Sequence, residues 1–387
     1  MASTISGGNK GDRHGKTPAA SWGEYGRFEL SLLGTNCSAI RKLAEELAVQ
    51  LTGLSVAYVD ADHKAETGKE GRSPFALCYS DKIAFGRIDA KSPDFPLLRK
   101  AWFNSCDLVL VNGNHFPASL QIAVIDPKKP LEGKLDRLSR PVMVLMQEGA
   151  AEIPPRVADC LRQSGDLPVF GINDVGGIAA AVLELYRSRL PSLHGLVLAG
   201  GRSERMGTDK GLIDYHGKPQ REHLFYLLQA YCSETFISCR ADQAAEFEGG
   251  LPYIADSFLG LGQFGAILSA FQRHPDAAWL VTACDLPLLG VRSLSQLTGG
   301  RNTGKYATAF HNPESGFTEP LAAIWEPRSY PALLHFLGLG YSCPRKVLLN
   351  TDVEILQPGH PEELSNVNSP EDLERVKRLL GRDFLID

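Results

Sequence analysis

The stretch GLVLAGGRSERMGTDKG, from Gly195 to Gly211, decides the fold of the second half of this chain. Its short apolar run at 196–199 predicts a buried β-strand. The run gives way to Gly200 and Gly201, which predict a turn where the backbone can take positive φ and come close to a ligand. A strand that ends in such a turn exposes backbone N–H groups, which are suited to binding phosphate oxygens.

Three cations follow this turn within nine residues, namely Arg202, Arg205 and Lys210. The stretch is not a Walker A loop, because no Gly-Lys-Ser/Thr follows at the required offset, and the dinucleotide fingerprint G-x-G-x-x-G is absent. In nucleotidyl transfer an acceptor phosphate attacks the α-phosphate of a nucleoside triphosphate and expels diphosphate, so positioning and charge neutralisation are the main requirements. Lys210 and Arg205 are the predicted catalytic cations, and a solvated basic surface is the alternative.

Read as LAGGxSxRMGxDKGL from Leu198, the stretch resembles the signature of the MobA-type nucleotidyltransferases, which include molybdenum cofactor guanylyltransferase. The resemblance extends over roughly residues 194 to 385. Five further stretches follow in the family's order: DS at 256–257, GQFGA at 262–266, CDLP at 284–287, EPL at 319–321 and NVNSPED at 366–372. The resemblance implies a Rossmann-like α/β fold of the nucleotide-diphospho-sugar transferase type.

The composition excludes several classes of protein. A length of 387 residues is enough for two domains, and 43% hydrophobic with 22% charged residues is ordinary for globular protein. The net charge of −5 argues against a general nucleic-acid binder. No apolar run approaches a membrane span of about 20 residues, and no secretory signal is visible. Eight cysteines without CxxC spacing favour reduced thiols in the cytoplasm over a metal site.

The chain is predicted to have three parts. Residues 1–25 are rich in Gly, Ser, Lys and Thr, which predicts a disordered tail. Residues 26–190 and residues 194–387 each alternate strand-like and helical patterns. This alternation predicts two α/β domains, each a mostly parallel sheet flanked by helices.

The first domain resembles the small P-loop GTPase that accompanies guanylyltransferases in molybdenum cofactor synthesis. A phosphate loop opening at Gly34 requires Gly, Lys and Ser/Thr at positions 39–41, and this chain has Ala, Ile and Arg there. We therefore expect a degenerate P-loop domain, kept for binding or as a scaffold. A cluster at a strand end, Asp60, Asp62 and His63, is either a ligand site or a solvated loop.

Two aspartates are the candidate carboxylates of the second domain. Asp285 directly follows an apolar strand, where a carboxylate can hold a Mg²⁺ that bridges phosphate oxygens. The resemblance places the metal on Asp285 and the nucleotide on Asp256, whereas a buried cap and a turn-forming residue are the respective alternatives. The resemblance implies this nucleotide-binding set: Leu198, Ala199, Gly200, Gly201, Lys210, Ser238, Asp256 and Asp285.

The choice of base is less well determined by the sequence. The family commonly has Gly-Pro-Leu where this chain has Gly-Gln-Phe at 262–264. Ser238 is the nearest match to the family's asparagine at the end of the second strand. These departures leave CTP open as the donor, whereas Asp209 followed by Lys210 is the form usual in guanylyltransferases.

The acceptor side is assigned to late segments of the chain. By resemblance, Glu319 lies where the family closes over its pterin substrate. Asn366 and Asn368 either reach the site or form a turn before a helix that begins with Ser-Pro. Arg345 and Lys346 either meet the substrate phosphate or belong to a solvated helix end.

These features lead us to expect a Mg²⁺-dependent nucleotidyltransferase that transfers GMP from GTP to molybdopterin or its molybdenum form and releases diphosphate. The expected partners are GTP, molybdopterin, and molybdoenzymes or other proteins of cofactor synthesis. Three alternatives remain: the same reaction with CTP, a sugar-phosphate nucleotidyltransferase, and a non-catalytic protein that carries the cofactor to an apoenzyme.

Overall fold

A computed structural model describes residues 23–61, 77–81, 86–90, 95–200, 209–247 and 249–383. These residues form two compact units, of which the first ends at Arg189 and the second begins at Leu190. No helix within the described ranges combines the length and the hydropathy that crossing a membrane requires. Residues 1–22 of the predicted tail lie outside the described residues.

The first unit is built on a parallel sheet. Its strands are β1 (Glu29–Leu33), β2 (Val56–Val59), β3 (Leu77–Asp81), β4 (Gly86–Ala90), β5 (Leu108–Asn112), β6 (Leu120–Ile125), β7 (Pro141–Met146) and β8 (Val169–Gly171). Its helices are α1 (Cys37–Gln50), α2 (Phe95–Phe103), α3 (Pro155–Arg162) and α4 (Val175–Arg187). Six strands pair in parallel in the order β2-β5-β1-β6-β7-β8, and β3 and β4 form an antiparallel pair. The predicted α/β class is confirmed for this unit.

The turn between β1 and α1 is held by groups of the protein itself. Gly34 has a φ of +106°, and a Cβ there would collide with the carbonyl oxygen of Val124. The buried Thr35 hydroxyl donates to Asp126 at 2.6 Å, and Lys129 Nζ donates to the Thr35 carbonyl at 3.0 Å. These contacts support a scaffold, and the loss of nucleotide binding stays a prediction.

The second unit is a larger mixed sheet. Its strands are β9 (Leu193–Leu198), β10 (Glu234–Cys239), β11 (Tyr253–Ala255), β12 (Ala278–Ala283), β13 (Ala307–Asn312), β14 (Phe317–Trp325) and β15 (Val353–Leu356). Its helices are α5 (Gln220–Gln229), α6 (Gly262–Arg273), α7 (Val291–Gly299), α8 (Ser329–Gly338), α9 (Pro344–Leu349) and α10 (Pro370–Asp383). The strand order is β11-β10-β9-β12-β14-β13-β15, with β14 antiparallel to both of its neighbours and every other pair parallel. The predicted mostly parallel sheet is confirmed here too.

Alternating side chains of β9 fill the core on both faces of this sheet. Leu196 belongs to the cluster that contains Phe264 and Phe271 of α6. Val197 belongs to the opposite cluster, which contains Phe225 of α5. Because the sheet is packed on both sides, the carboxyl ends of β9 to β12 are fixed, and ligands of open parallel sheets bind at this edge.

Candidate active site

A cavity of about 230 Å³ lies at the carboxyl ends of the parallel strands of the second unit. It is lined by Leu198, Ala199, Gly200, Asp209, Lys210, Gly211, Ser238, Asp256, Gly262, Gln263, Ala266, Ala283, Cys284 and Asp285. Every predicted nucleotide-binding residue that the structure describes is in this set. Gly201 and the predicted catalytic Arg205 lie outside the described residues.

Asp285 is a half-buried residue of this cavity, just beyond the end of β12, and its Oδ1 atom is buried. Its Oδ1 atom has no hydrogen-bond partner among the described residues. Burial raises the pKa of Asp285; Lys210 opposes this shift, and the charge of Glu319 adds to it. A buried carboxylate oxygen without a partner is suited to a hard cation such as Mg²⁺, which binds one or two carboxylates and phosphate oxygens. The donor set therefore fits the predicted metal.

Lys210 is fixed at the opening of a short turn of 3₁₀-helix, which Asp209 caps by accepting from the Gly211 N–H at 2.9 Å. Its Nζ donates to the carbonyl of Val367 at 2.7 Å and to Asn368 Oδ1 at 2.8 Å. The N–H of Val367 in turn donates to the Asp285 carbonyl at 2.8 Å. The structure therefore brings the predicted acceptor segment to both Lys210 and Asp285.

The segment that carries Asn368 is held by the start of α10. The carboxylate of Asp372 accepts from the Asn368 N–H at 3.1 Å and from the Ser369 hydroxyl at 2.9 Å, and the first of these bonds is the largest cause of a lowered Asp372 pKa. Helix α10 begins at Pro370, where the sequence predicts its start. Asn366 is half-buried on the same segment. Its predicted contact with substrate, like that of Asn368, stays a prediction.

Ser238 and Asp256 form a second polar pair, on β10 and after β11. The Ser238 hydroxyl donates to Asp256 Oδ1 at 2.8 Å. Burial raises the pKa of Asp256, and the Ser238 hydrogen bond and Arg240 partly offset this shift. Ser238 thus orients Asp256 at the cavity wall, and its match to the family's asparagine stays a prediction.

Gly200 follows β9 without the positive φ that glycine permits there. Gly201, the second glycine of the predicted turn, lies outside the described residues. The Ala199 N–H still donates to the Ser238 carbonyl at 3.0 Å, and Arg240 Nη1 donates to the Gly200 carbonyl at 3.1 Å. These two contacts hold residues 199 and 200 beside β10.

Glu319 lies on β14 and is only 2% exposed. Its two carboxylate oxygens accept from Asn312 Nδ2 and from the Leu321 N–H, each at 3.1 Å. Both oxygens are therefore engaged within the protein, which favours a supporting role for Glu319, and direct contact with the acceptor stays a prediction. Arg345 and Lys346 are the two cations that could meet the substrate phosphate. Arg345 Cζ lies 5.3 Å from the centre of the Phe317 ring, and Lys346 Nζ lies 4.4 Å from the centre of the Tyr341 ring.

The second unit is similar in sequence to known proteins. A family model described as the MobA-like NTP transferase domain matches residues 195–353. A molybdenum cofactor guanylyltransferase of Pseudomonas putida is 32% identical over 196 residues, which cover 48% of this chain and 97% of that relative. The chain belongs to the molybdenum cofactor guanylyltransferase family.

A second relative and a solved structure match this guanylyltransferase family member over different shares of their own lengths. A molybdenum cofactor biosynthesis bifunctional protein of Synechocystis sp. is 34% identical over 188 residues, which cover 48% of this chain. The chain spans about half of that relative, 53% of its length. The crystal structure of molybdopterin-guanine dinucleotide biosynthesis protein A from Archaeoglobus fulgidus is 23% identical, with a TM-score of 0.42, over 49% of this chain and 99% of that one.

Three residues of the site had no predicted role. Asp209 and Cys284 line the cavity, and Gln243 supports Asp209. Asp209 accepts from the buried Gln243 side chain at 3.2 Å, so Gln243 fixes the residue beside Lys210. Cys284 lines the cavity, and burial raises its pKa, so the thiol is neutral. The sequence could have indicated a role for Asp209, because Asp209 lies between the glycine stretch and Lys210. It could not have indicated one for Gln243, which belongs to no motif.

Proposed function

We propose that the second unit transfers GMP from GTP to the terminal phosphate of molybdopterin or its molybdenum form and releases diphosphate. The observation that carries this proposal is the convergence of Lys210, Asp285 and the segment of Asn368 at one cavity. The names of the relatives that share the family support the same reaction.

Each residue of the site has a separate role in the proposed transfer. Lys210 would bind and orient the triphosphate, and its charge would offset the charge that develops as diphosphate leaves. We assign the same role to Arg205, on the family motif alone. Asp285 would hold Mg²⁺, which when bound neutralises phosphate oxygens. Ser238 would keep Asp256 oriented toward the nucleotide.

The base would lie against Leu198 and the start of α6, where Gly262, Gln263 and Ala266 line the cavity. The exposed amide of Gln263 offers both a donor and an acceptor, as the edge of guanine requires. Cytosine also presents a donor and an acceptor, so CTP is the second candidate donor.

The first unit would serve as a degenerate P-loop scaffold that does not hydrolyse GTP. It would bring the transferase to other proteins of cofactor synthesis or to molybdoenzymes. We propose a cytoplasmic location, because the cysteines that the structure describes with their side chains are free thiols.

Diphosphate release from the full chain tests the proposed reaction. We expect turnover with GTP, Mg²⁺ and molybdopterin that exceeds turnover with CTP at least about tenfold, an energy difference that a few polar contacts to a base supply. Turnover with CTP alone would overturn the base assignment. Turnover with a sugar phosphate in place of molybdopterin would overturn the acceptor, and binding of molybdopterin without turnover would identify a carrier.

Removing the amide of Asn368 should weaken the transfer without abolishing it. Asn368→Ala removes the hydrogen bond that Lys210 Nζ donates to Asn368 Oδ1, and it keeps the one that Nζ donates to the Val367 carbonyl. We expect a loss of about tenfold in kcat/KM, the size of one hydrogen bond to a charged group. Steady-state kinetics at varied molybdopterin would measure it, with Asn350→Ala on the exposed end of α9 as control. Equal rates for Asn368→Ala and the wild type would contradict the predicted role.

A further inference from the structure

Two histidines and a glutamate converge at the amino end of β9, at the opposite end of that strand from the cavity. His194 on β9 is in register with Glu234 on β10 and with Trp279 on β12. Paired residues of neighbouring strands project from the same face of a sheet. His274 follows the last turn of α6, which packs on this face. One ligating atom from each of His194, Glu234 and His274 lies within 4.8 Å of the other two.

One imidazole nitrogen of each histidine in this cluster is buried and makes no hydrogen bond to a described residue. His194 is 8% exposed, and its Nδ1 makes no hydrogen bond to a described residue. The same holds for Nε2 of His274. Buried polar nitrogens are nearly always satisfied, so two in one cluster indicate a ligand that is shared between them. Burial also lowers the pKa of both histidines, which favours the neutral form that binds metals.

The surroundings of His194 orient it as a ligand. Its Nε2 lies 3.2 Å from the Ser192 hydroxyl, so with the proton on Nε2 this hydrogen bond turns the Nδ1 lone pair toward the cluster. Trp279 stands edge-on to the His194 ring at 5.3 Å, and Phe236 lies 5.4 Å from the ring of His274. This apolar shell limits water on one side, while the exposed Glu234 leaves the other side open to an ion.

We propose that His194, His274 and Glu234 form a binding site for a transition metal, Zn²⁺ first among them, with water as a further ligand. Two imidazoles and a carboxylate match the nitrogen and oxygen ligands of Zn²⁺, whereas Mg²⁺ prefers oxygen alone. The distance of 4.0 Å from His194 Nδ1 to the Glu234 carboxylate must shorten to about 3.4 Å around a tetrahedral ion. The exposed Glu234 side chain can make this movement. The ion would join β9, β10 and the end of α6.

Metal binding to the chelator-treated full chain tests this site. We expect one equivalent of Zn²⁺ per chain by calorimetry and elemental analysis, a higher unfolding midpoint with Zn²⁺, and no competition from Mg²⁺ in excess. Co²⁺ as a probe should give the visible absorption of a tetrahedral nitrogen and oxygen site. Glu234→Gln and His274→Gln change side chains outside the deepest core, so both variants should fold.

Each of these variants should lower the Zn²⁺ affinity at least about tenfold and abolish the Co²⁺ spectrum. His335→Gln on α8 and Glu314→Gln between β13 and β14 are matched controls and should bind as the wild type does. Absence of stoichiometric Zn²⁺ binding would overturn the site. Binding that neither Glu234→Gln nor His274→Gln weakens would also overturn it, because the ion would then be held by thiols or other histidines.

Discussion

Lys210→Ala should lower kcat/KM for GTP by about 10²–10³-fold, the loss that follows removal of a preorganised charge at a transferring phosphate. The reason lies in the position of Nζ, which two acceptors hold at the cavity beside Asp285. A cation fixed in this way needs no reorganisation as charge develops on the leaving diphosphate. Diphosphate release under steady-state conditions, at saturating molybdopterin, measures the effect.

The matched control for this prediction is Lys305→Ala. Lys305 forms an ion pair with Asp352 at 2.8 Å, and Lys305→Ala should leave turnover unchanged. Lys210 contributes both its charge and its fixed position. Asn368→Ala separates the two, because it removes a hydrogen bond that fixes Nζ and keeps the charge. A loss in Lys210→Ala no greater than that in Asn368→Ala would show that Lys210 acts through structure alone and contradict its predicted catalytic role.

The parts of the fold that follow from local patterns were predictable from the sequence. The apolar run before Gly200 marks β9, and Asp285 after an apolar run marks the end of β12. Parallel strands end at one edge of a sheet, so these positions had to lie near one another. Strand β14 was not placed by this reasoning, because its antiparallel pairing with β12 and β13 depends on partners distant in sequence.

The details of the site depend on such distant contacts. Lys210 and Val367 are separated by 157 positions, and no local pattern indicates that one would bind the other. The sequence allows a positive φ at Gly200 but cannot decide it, because glycine permits this conformation without requiring it, and Gly200 does not adopt it. The cluster of His194 and Glu234 was missed for a related reason, since its members share no motif and meet through the register of two strands.

Asp285→Asn should abolish most of the activity and yet leave the protein at least as stable as the wild type at pH 7. The variant keeps the shape of the side chain and removes the charge that would hold Mg²⁺, so we expect kcat/KM to fall by about 10³-fold. Asp352→Asn, which removes an exposed carboxylate, is the control and should retain full turnover.

The stability half of this prediction follows from the sign of the pKa shift. The pKa of Asp285 is raised mainly because burial disfavours its charge, so at pH 7, above the ordinary pKa of the group, the unfolded chain accommodates the ionised carboxylate better than the folded chain does. That disadvantage shrinks as the pH falls from the raised pKa toward the ordinary one, because the folded protein takes up the proton before the unfolded chain does. Thermal unfolding without Mg²⁺ should therefore give Asp285→Asn a midpoint equal to or above that of the wild type at pH 7. The difference should shrink toward acid pH. A lower midpoint at pH 7 would mean that the carboxylate is satisfied within the protein, and it would remove the physical basis for placing the metal on Asp285.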